Sequence, residues 1–106
     1  MTLDLDDYDE HPEAVDELLG RVRYYGPVKG AEFNQSALVA IESVVNDPQS
    51  WPPVAYWDGI PVVRSRKIRG FVERVVYYVR ANGRPVIIAY AHHKQPAGYW
   101  AHRFSD

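Results

Sequence analysis

The chain has 106 residues, of which 46% are hydrophobic and 25% are charged. This composition is typical of one folded globular domain, and it excludes an intrinsically disordered segment. The absence of cysteine excludes disulfides, thiolate nucleophiles and cysteine-ligated zinc. No apolar run approaches the roughly 20 residues that span a bilayer, and the N-terminus is acidic, unlike a signal peptide. These features predict a single domain over residues 1–106, located in the cytoplasm.

The formal net charge of −2 is the sum of two halves of opposite sign. Residues 1–20 contain no lysine or arginine and eight acids: Asp4, Asp6, Asp7, Asp9, Glu10, Glu13, Asp16 and Glu17. Residues 61–106 contain two acids, Glu73 and Asp106, and nine basic residues: Arg64, Arg66, Lys67, Arg69, Arg74, Arg80, Arg84, Lys94 and Arg103. This division predicts a basic working face, with the acidic stretch elsewhere or laid partly across it. The alternative is scattered, solvated charge.

The first predicted elements are a strand and two helices. Leucines alternate with acids over residues 2–8, which predicts a short strand at a sheet edge. Residues 11–13 (His-Pro-Glu) are typical of a helix start, and Gly26-Pro27 ends that helix. A second helix is predicted over residues 30–45, so that the two form a helical hairpin. The residues at helical spacing are Val15, Leu18, Leu19 and Val22 in the first helix, and Phe33, Ala37, Ala40, Ile41, Val44 and Val45 in the second.

Three strands are predicted after a loop at residues 49–60, whose Trp51, Tyr56 and Trp57 either line an interface or cap the sheet edge. The predicted strands cover residues 61–69, 72–80 and 85–92. Asn82-Gly83 predicts a type I′ hairpin turn, because both central positions of that turn need a positive φ. The last two strands are apolar on both faces, which predicts central positions covered by the helices.

The order of these elements predicts an α+β fold. A short N-terminal strand is followed by an α-helical hairpin that packs on one twisted, mostly antiparallel sheet.

The basic residues of the predicted sheet suit RNA cleavage without a metal ion. Attack by a 2′-hydroxyl needs a base and an acid, and it needs cations that hold the charge developing on the phosphoryl oxygens. Lys67, Arg69 and Arg74 lie on neighbouring predicted strands, and His92 and Tyr99 follow at the end of the last one. Because neighbouring strand residues point to opposite faces, only one of the adjacent histidines at 92 and 93 can serve the same site from regular strand geometry.

No metal site and no cofactor are expected. His92, His93 and His102 match no standard spacing of zinc ligands.

The chain resembles the RelE/ParE superfamily of toxins from bacterial type II toxin–antitoxin modules. The resemblance rests on the order of elements, on residues 74–77 (Arg-Val-Val-Tyr), and on a closing segment that runs from residues 91–94 (Ala-His-His-Lys) through Tyr99-Trp100 to Arg103. It begins at residues 11–14 (His-Pro-Glu-Ala) and therefore covers nearly the whole chain. It implies one of two activities, because RelE-like members cut mRNA on the ribosome and ParE-like members poison DNA gyrase through a protein contact. The fold alone does not choose between them.

For a RelE-like ribonuclease, the resemblance implies a catalytic set of Lys67, Arg69, Arg74, His92 and Tyr99. In that set Arg74 stabilises the phosphate, and Lys67 takes the position of a catalytic lysine. The closing loop resembles the ParE pattern His-x-Arg-Arg-x-Pro-x-Tyr-Trp in the spacing from His92 to Tyr99-Trp100. It departs from that pattern where Gln95 replaces the second arginine and where Pro96 is displaced by one position. Since glutamine cannot balance phosphoryl charge, the departure favours the ParE-like activity.

The resemblance also implies a cognate antitoxin, whose extended and typically acidic C-terminal segment wraps the helices and the sheet. The residues expected to bind the target or the antitoxin are Arg64, Arg66, Lys67, His93, Lys94, Tyr99, Trp100 and Arg103. Tyr99 and Trp100 equally suit a packing role that docks the C-terminal tail on the core. The sequence therefore predicts a toxin that inhibits growth by poisoning DNA gyrase. The alternatives are a ribosome-dependent mRNA endoribonuclease and an inactive relative that only binds its antitoxin.

Overall fold

The computed structural model describes residues 4–104, and their fold is α+β. The strands are β1 (Asp9–Glu10), β2 (Val63–Lys67), β3 (Arg74–Val79) and β4 (Pro85–Ala91), and the helical segment α1 is Pro12–Asn46. The sheet has four strands in the order β1-β4-β3-β2. Because β1 runs parallel to β4 while β2, β3 and β4 are antiparallel, the sheet is mixed. The three strands predicted in the second half of the chain are confirmed, with shorter bounds.

The N-terminal strand differs from its prediction. Leu5–Asp7 form a turn of 3₁₀-helix, and the strand is only Asp9–Glu10. The side chain of Asp4 accepts the backbone N–H of Asp6 at 3.0 Å, and that of Asp7 accepts the N–H of Asp4 at 3.1 Å. Short acidic side chains thus occupy backbone donors that a strand would need, which is why the alternating pattern does not form one. Residues 2 and 3 of the predicted strand lie outside the described residues.

The break predicted at Gly26-Pro27 is confirmed. Gly26 has φ 86° and ψ 178°, which interrupts the helical backbone of α1. A Cβ atom at Gly30 would overlap the carbonyl oxygen of Val22, although residues eight positions apart in a straight helix are separated by about 12 Å along the axis. The segments on either side of the break therefore pack against each other. None of the helices in the described part of the chain has the length and apolarity needed to cross a membrane.

The second segment of α1 forms the main core with one face of the sheet. Its buried residues are Phe33, Ala37, Ala40, Ile41 and Val44, all of them predicted from helical spacing. They pack with Val75, Tyr77, Ile87 and Tyr90 of β3 and β4. The central positions predicted for β3 and β4 are therefore confirmed. On this face of the sheet, the helical segments cover the two strands as predicted.

The other face of the sheet is covered by the loop after α1 and by the C-terminal tail. Trp100 is fully buried there, with its ring 5.2 Å from that of Trp57. The ring of Phe104 lies 5.3 Å from that of Tyr78 in β3. The predicted cover by the helices therefore applies to one face, and aromatic residues outside the helices and strands supply the layer on the other.

The β3–β4 hairpin is confirmed, but its turn type is not. Gly83 has φ 88°, whereas no residue other than glycine has a positive φ among residues 4–104. Asn82 therefore cannot form a type I′ turn. The N–H of Gly83 donates to the carbonyl of Arg80 at 2.8 Å, and the N–H of Arg80 donates to the carbonyl of Arg84 at 2.9 Å. This is a three-residue loop with glycine in the left-handed position, a common alternative to the two-residue turn.

The close approach of the two α1 segments predicts the effect of adding one methyl group. Gly30→Ala should lower the free energy of unfolding by about 1–3 kcal/mol, because the helices must separate or the backbone must shift. Gly20→Ala is the matched control. No atom lies within 4 Å of a Cβ at Gly20, so this change should be neutral or should stabilise by up to about 1 kcal/mol. Urea unfolding followed by circular dichroism measures both, and equal effects would contradict the packing.

Burial raises the pKa of the Tyr77 hydroxyl to about 12, and this hydroxyl donates to the carbonyl of Pro48 at 2.6 Å. The folded state therefore retains a proton that the unfolded chain loses near pH 10. The contribution of Tyr77 to stability is complete below pH 10 and is lost as the pH rises toward 12. The difference in unfolding free energy between the wild type and Tyr77→Phe should fall by about 2–3 kcal/mol over that range. A constant difference in urea unfolding between pH 9 and 12 would contradict this assignment.

Candidate functional site

Asp9, near the N-terminus, neutralises arginines at the hairpin end of the sheet. Asp9 in β1 forms ion pairs with Arg80, at the end of β3, and with Arg84, the latter at 3.0 Å. Arg84 also donates to the carbonyl of Tyr8 at 3.1 Å. These two arginines hold the N-terminal segment in place. Part of the basic charge in the second half of the chain is therefore used within the fold.

Glu17 of α1 joins the C-terminal tail to β4 through three contacts. Its Oε1 accepts the backbone N–H of Tyr90 at 3.0 Å and pairs with Nη1 of Arg103 at 3.0 Å, and its Oε2 accepts the hydroxyl of Tyr99 at 2.7 Å. Nη1 of Arg103 also donates to the carbonyl of Ile88 at 3.0 Å. Burial and the bond to Glu17 raise the pKa of the Tyr99 hydroxyl, which stays protonated. Tyr99 and Arg103 were both predicted as site residues. In the structure their polar groups bind Glu17, and Arg103 also binds the backbone of β4.

A buried carboxylate joins the β2–β3 turn to α1. Glu73 is fully buried, and it accepts the Nε of Arg21 at 2.7 Å and the hydroxyl of Tyr25 at 2.8 Å. No role was predicted for Glu73 from the sequence. The one signal that could have indicated its role is that it is an isolated acid in an apolar predicted strand, which implies a buried partner.

Arg74 lines a pocket on the face of the sheet opposite α1, with a volume of about 410 Å³. We call it the open-face pocket. Its polar lining is Ser65, Arg74, His92, His93 and Gln95, and its apolar lining is Pro52, Pro53, Val54, Ala55, Tyr56, Val72, Val76, Ala91 and Ala97. A concave apolar surface with a few convergent polar groups is the usual form of a ligand site.

Arg74 and Lys67 place two positive charges side by side at the edge of this pocket. They are directly opposite each other across β2 and β3, so their side chains project from the same face. Nε of Arg74 donates to Oγ of Ser65 at 3.0 Å, and Nζ of Lys67 donates to the carbonyl of Phe71 at 2.7 Å. Like charges directly opposite each other destabilise a sheet, and a bound anion relieves that repulsion.

The loop after β4 is held by Gln95. Its Oε1 accepts the backbone N–H of His92 at 2.9 Å, and Nδ1 of His92 accepts the N–H of Lys94 at 3.2 Å. In the neutral ring the proton of His92 is therefore on Nε2, the nitrogen that makes no bond in this turn. His93 and Lys94 are exposed. Gln95, which in the sequence marks the loss of an arginine, closes this turn in the structure.

Arg64 and Arg66 lie on the opposite face of β2 from the pocket. Nη1 of Arg64 donates to the carbonyl of Trp51 at 2.7 Å, and the guanidinium of Arg66 lies 4.4 Å from the centre of the Trp51 ring. Nε1 of Trp51 in turn donates to the carbonyl of Ser43 in α1 at 3.1 Å. These arginines attach the loop to the helical side of the sheet. Of the loop aromatics, Trp51 therefore caps the sheet edge.

The predicted site residues thus divide into separate groups. Arg74, His92 and His93 line the open-face pocket, and Lys67 adjoins it through Arg74. Arg69 is exposed on the β2–β3 turn, and Trp100 is buried in the core. Tyr99 does not line the pocket. Ser65 lines the pocket without having been predicted, since no local pattern marks it, whereas Tyr56 was predicted either to line an interface or to cap the sheet edge.

Among residues 4–104, no group of three histidine, aspartate or glutamate side chains is arranged to hold a metal ion. No protein-family model, curated protein or solved structure matches this chain significantly.

The bond between Tyr99 and Glu17 predicts a structural effect for the loss of one hydroxyl. Tyr99→Phe should lower the free energy of unfolding by about 1–3 kcal/mol, because it removes a donor to a carboxylate. Tyr56→Phe is the matched control, since Tyr56 is 57% exposed and should change stability by less than about 0.5 kcal/mol. Thermal and urea unfolding measure both effects. Equal stability of the two variants would contradict the assigned role of Tyr99.

Proposed function

We propose that this protein is the toxin of a type II toxin–antitoxin module, with a RelE/ParE-like arrangement, and that it inhibits growth by poisoning DNA gyrase. The order of elements supports this proposal. A helical segment broken at Gly26 is followed by three antiparallel strands, and the short β1 runs parallel to β4 in the same sheet. The resemblance of residues 74–77 and of the closing segment to the superfamily adds to this support.

The position of the Tyr99 hydroxyl favours gyrase over RNA as the target. A ribonuclease of this type needs an acid or base that reaches the scissile phosphate. The Tyr99 hydroxyl instead donates to Glu17 and does not line the open-face pocket. Gln95 contributes no charge, and its amide oxygen is occupied by the N–H of His92. The pocket therefore lacks the catalytic tyrosine hydroxyl and the arginine that Gln95 replaces. A toxin that acts by binding a protein does not depend on these two groups.

The proposed toxin is held inactive by a cognate antitoxin with an acidic, extended C-terminal segment. Such a segment suits this chain because several exposed cations have no acidic partner within residues 4–104, among them Arg69 and Lys94. Adding a strand or helix to the surface of the toxin is a usual way for such a segment to bind.

The second candidate is a ribosome-dependent mRNA endoribonuclease, which the open-face pocket favours. Arg74 and its neighbour Lys67 provide two cations for a phosphate, and His92 offers Nε2 as the exchangeable site. Tyr56 in the pocket lining offers an aromatic ring on which an RNA base can stack. In this function the two histidines replace the tyrosine that is engaged with Glu17.

One experiment distinguishes the two functions. The purified protein is incubated with gyrase and supercoiled DNA, and separately with a translation extract that contains a defined mRNA. We expect detergent treatment to release linear DNA in proportion to the protein added, and we expect the mRNA to stay intact. The reverse outcome establishes the second candidate, and the absence of both effects would contradict both functions.

Variants at Arg74 sharpen this experiment. If mRNA is cut, Arg74→Ala should reduce cutting by about 100-fold or more, because it removes a cation from the developing phosphoryl charge. Arg23→Ala is the control, since Arg23 is exposed on α1 and lines a different groove, beside Pro27 and Asn34. An Arg74→Ala protein that cuts mRNA at the wild-type rate would exclude the pocket as the catalytic site.

A further inference from the structure

The charges of the molecule are separated between two ends of the sheet. At the β3–β4 hairpin, Asp9 neutralises Arg80 and Arg84. The other end is formed by the β2–β3 turn and the last residue of β4, where Arg74 pairs with both Lys67 and Ala91. The acid of that turn, Glu73, is buried and bound to Arg21. The second end is therefore cationic.

A continuous set of cations crosses this end. Nζ of Lys29 in α1 lies 5.9 Å from the centre of the Phe71 ring, and Nζ of Lys67 donates to the carbonyl of Phe71. Lys67 is opposite Arg74, and Arg74 lines the open-face pocket with His92 and His93. Arg69 lies on the same turn as Phe71, and Lys94 follows the histidines. We call Lys29, Lys67, Arg69, Arg74 and Lys94 the cationic strip.

The strip has no internal compensation. Within residues 4–104, no acidic side chain forms an ion pair with any of its five members. Lys67 and Arg74 donate only to a carbonyl and a hydroxyl, which are neutral. Five adjacent cations that repel one another favour an extended anion, since a single carboxylate would neutralise only a part of the strip.

Large exposed apolar side chains beside the strip lie singly on three separate elements. They are Val28 in α1 (76% exposed), Tyr56 in the loop before β2 (57%) and Val72 in the β2–β3 turn (51%). Tight protein interfaces depend on a buried apolar core, but phosphate backbones are bound through charge with little apolar contact. The charge of the strip therefore suits a nucleic-acid backbone.

We propose that the cationic strip binds the phosphate backbone of duplex DNA. The proposal rests on the proposed gyrase function in one respect. The DNA that the strip would bind in the cell is the duplex held by gyrase, so the toxin would contact the enzyme and the duplex together. A surface that contacts both is placed to stabilise the cleaved complex. Binding to phosphates carries no sequence preference, and it should therefore be measurable with any duplex and without gyrase.

The test compares two single charge changes on the full chain. A fluorescent duplex of about 20 base pairs is titrated with protein at salt concentrations from about 50 to 200 mM, and anisotropy is followed. Arg69→Gln should weaken binding several-fold. It should also make the negative slope of log affinity against log salt shallower by about 0.9, because one phosphate contact is lost. Arg23→Gln removes the same charge from a surface outside the strip, and it should keep the wild-type slope.

Arg69 and Arg23 are exposed and make no ion pair or hydrogen bond with the described residues, so neither change is expected to unfold the protein. Circular dichroism checks this for both variants. A wild-type slope for Arg69→Gln, or an equal loss for the two variants, would overturn the proposal. Tighter binding of single-stranded RNA than of the duplex would assign the strip to another partner and would also overturn it.

Failure of this inference can be told apart from failure of the proposed function. Wild-type protein that raises gyrase cleavage but does not bind duplex DNA rejects the strip and leaves the function intact. Binding to the duplex without any effect on gyrase supports the strip and rejects the function. When both are observed, Arg69→Gln should also raise the protein concentration needed for half-maximal cleavage several-fold, while Arg23→Gln should not.

Discussion

The carboxylate of Glu17 is the contact on which the rest of the arrangement depends. Because β1 has only two residues, the outer edge of β4 lacks a partner strand beyond Ile87. On that edge Glu17 accepts the N–H of Tyr90, and Arg103 donates to the carbonyl of Ile88. These two side chains, which form an ion pair with each other, thus bond to backbone groups that a partner strand would otherwise bind. Such a pair costs desolvation to form, but the loss of either partner leaves a buried charge alone, which is the more costly state.

This contact also decides where the C-terminal tail lies. Anchored by Tyr99 and Arg103, the tail places Trp100 over the face of the sheet that the helices leave uncovered. The second apolar layer follows from that placement. The same anchoring takes the Tyr99 hydroxyl out of the pocket. A single acidic residue of the N-terminal half therefore shapes both the core and the site.

Local sequence signals predicted the elements that depend on local physics. Gly26-Pro27 breaks the helix because proline lacks an N–H and glycine accepts a positive φ, and residues 33–44 pack as their helical spacing indicates. The strand predicted over residues 2–8 was wrong because aspartate side chains bind their own backbone there. At the site, Arg74 and His92 were predicted together because neighbouring strands align them. Glu73 and Gln95 were not, since their partners are identified only by the folded chain.

By itself, the sequence determined the α+β class, the broken helix, the central apolar strands and the division of charge between the two halves. These follow from periodicity, backbone preference and composition, which act over a few residues at a time. Only the tertiary structure decided which charges neutralise each other. Asp9 reaches Arg80 and Arg84, Glu17 reaches Arg103, and no acid reaches the cationic strip within residues 4–104. The physical reason is that ion pairing depends on distance in space, which the fold sets for residues more than 60 positions apart in the chain.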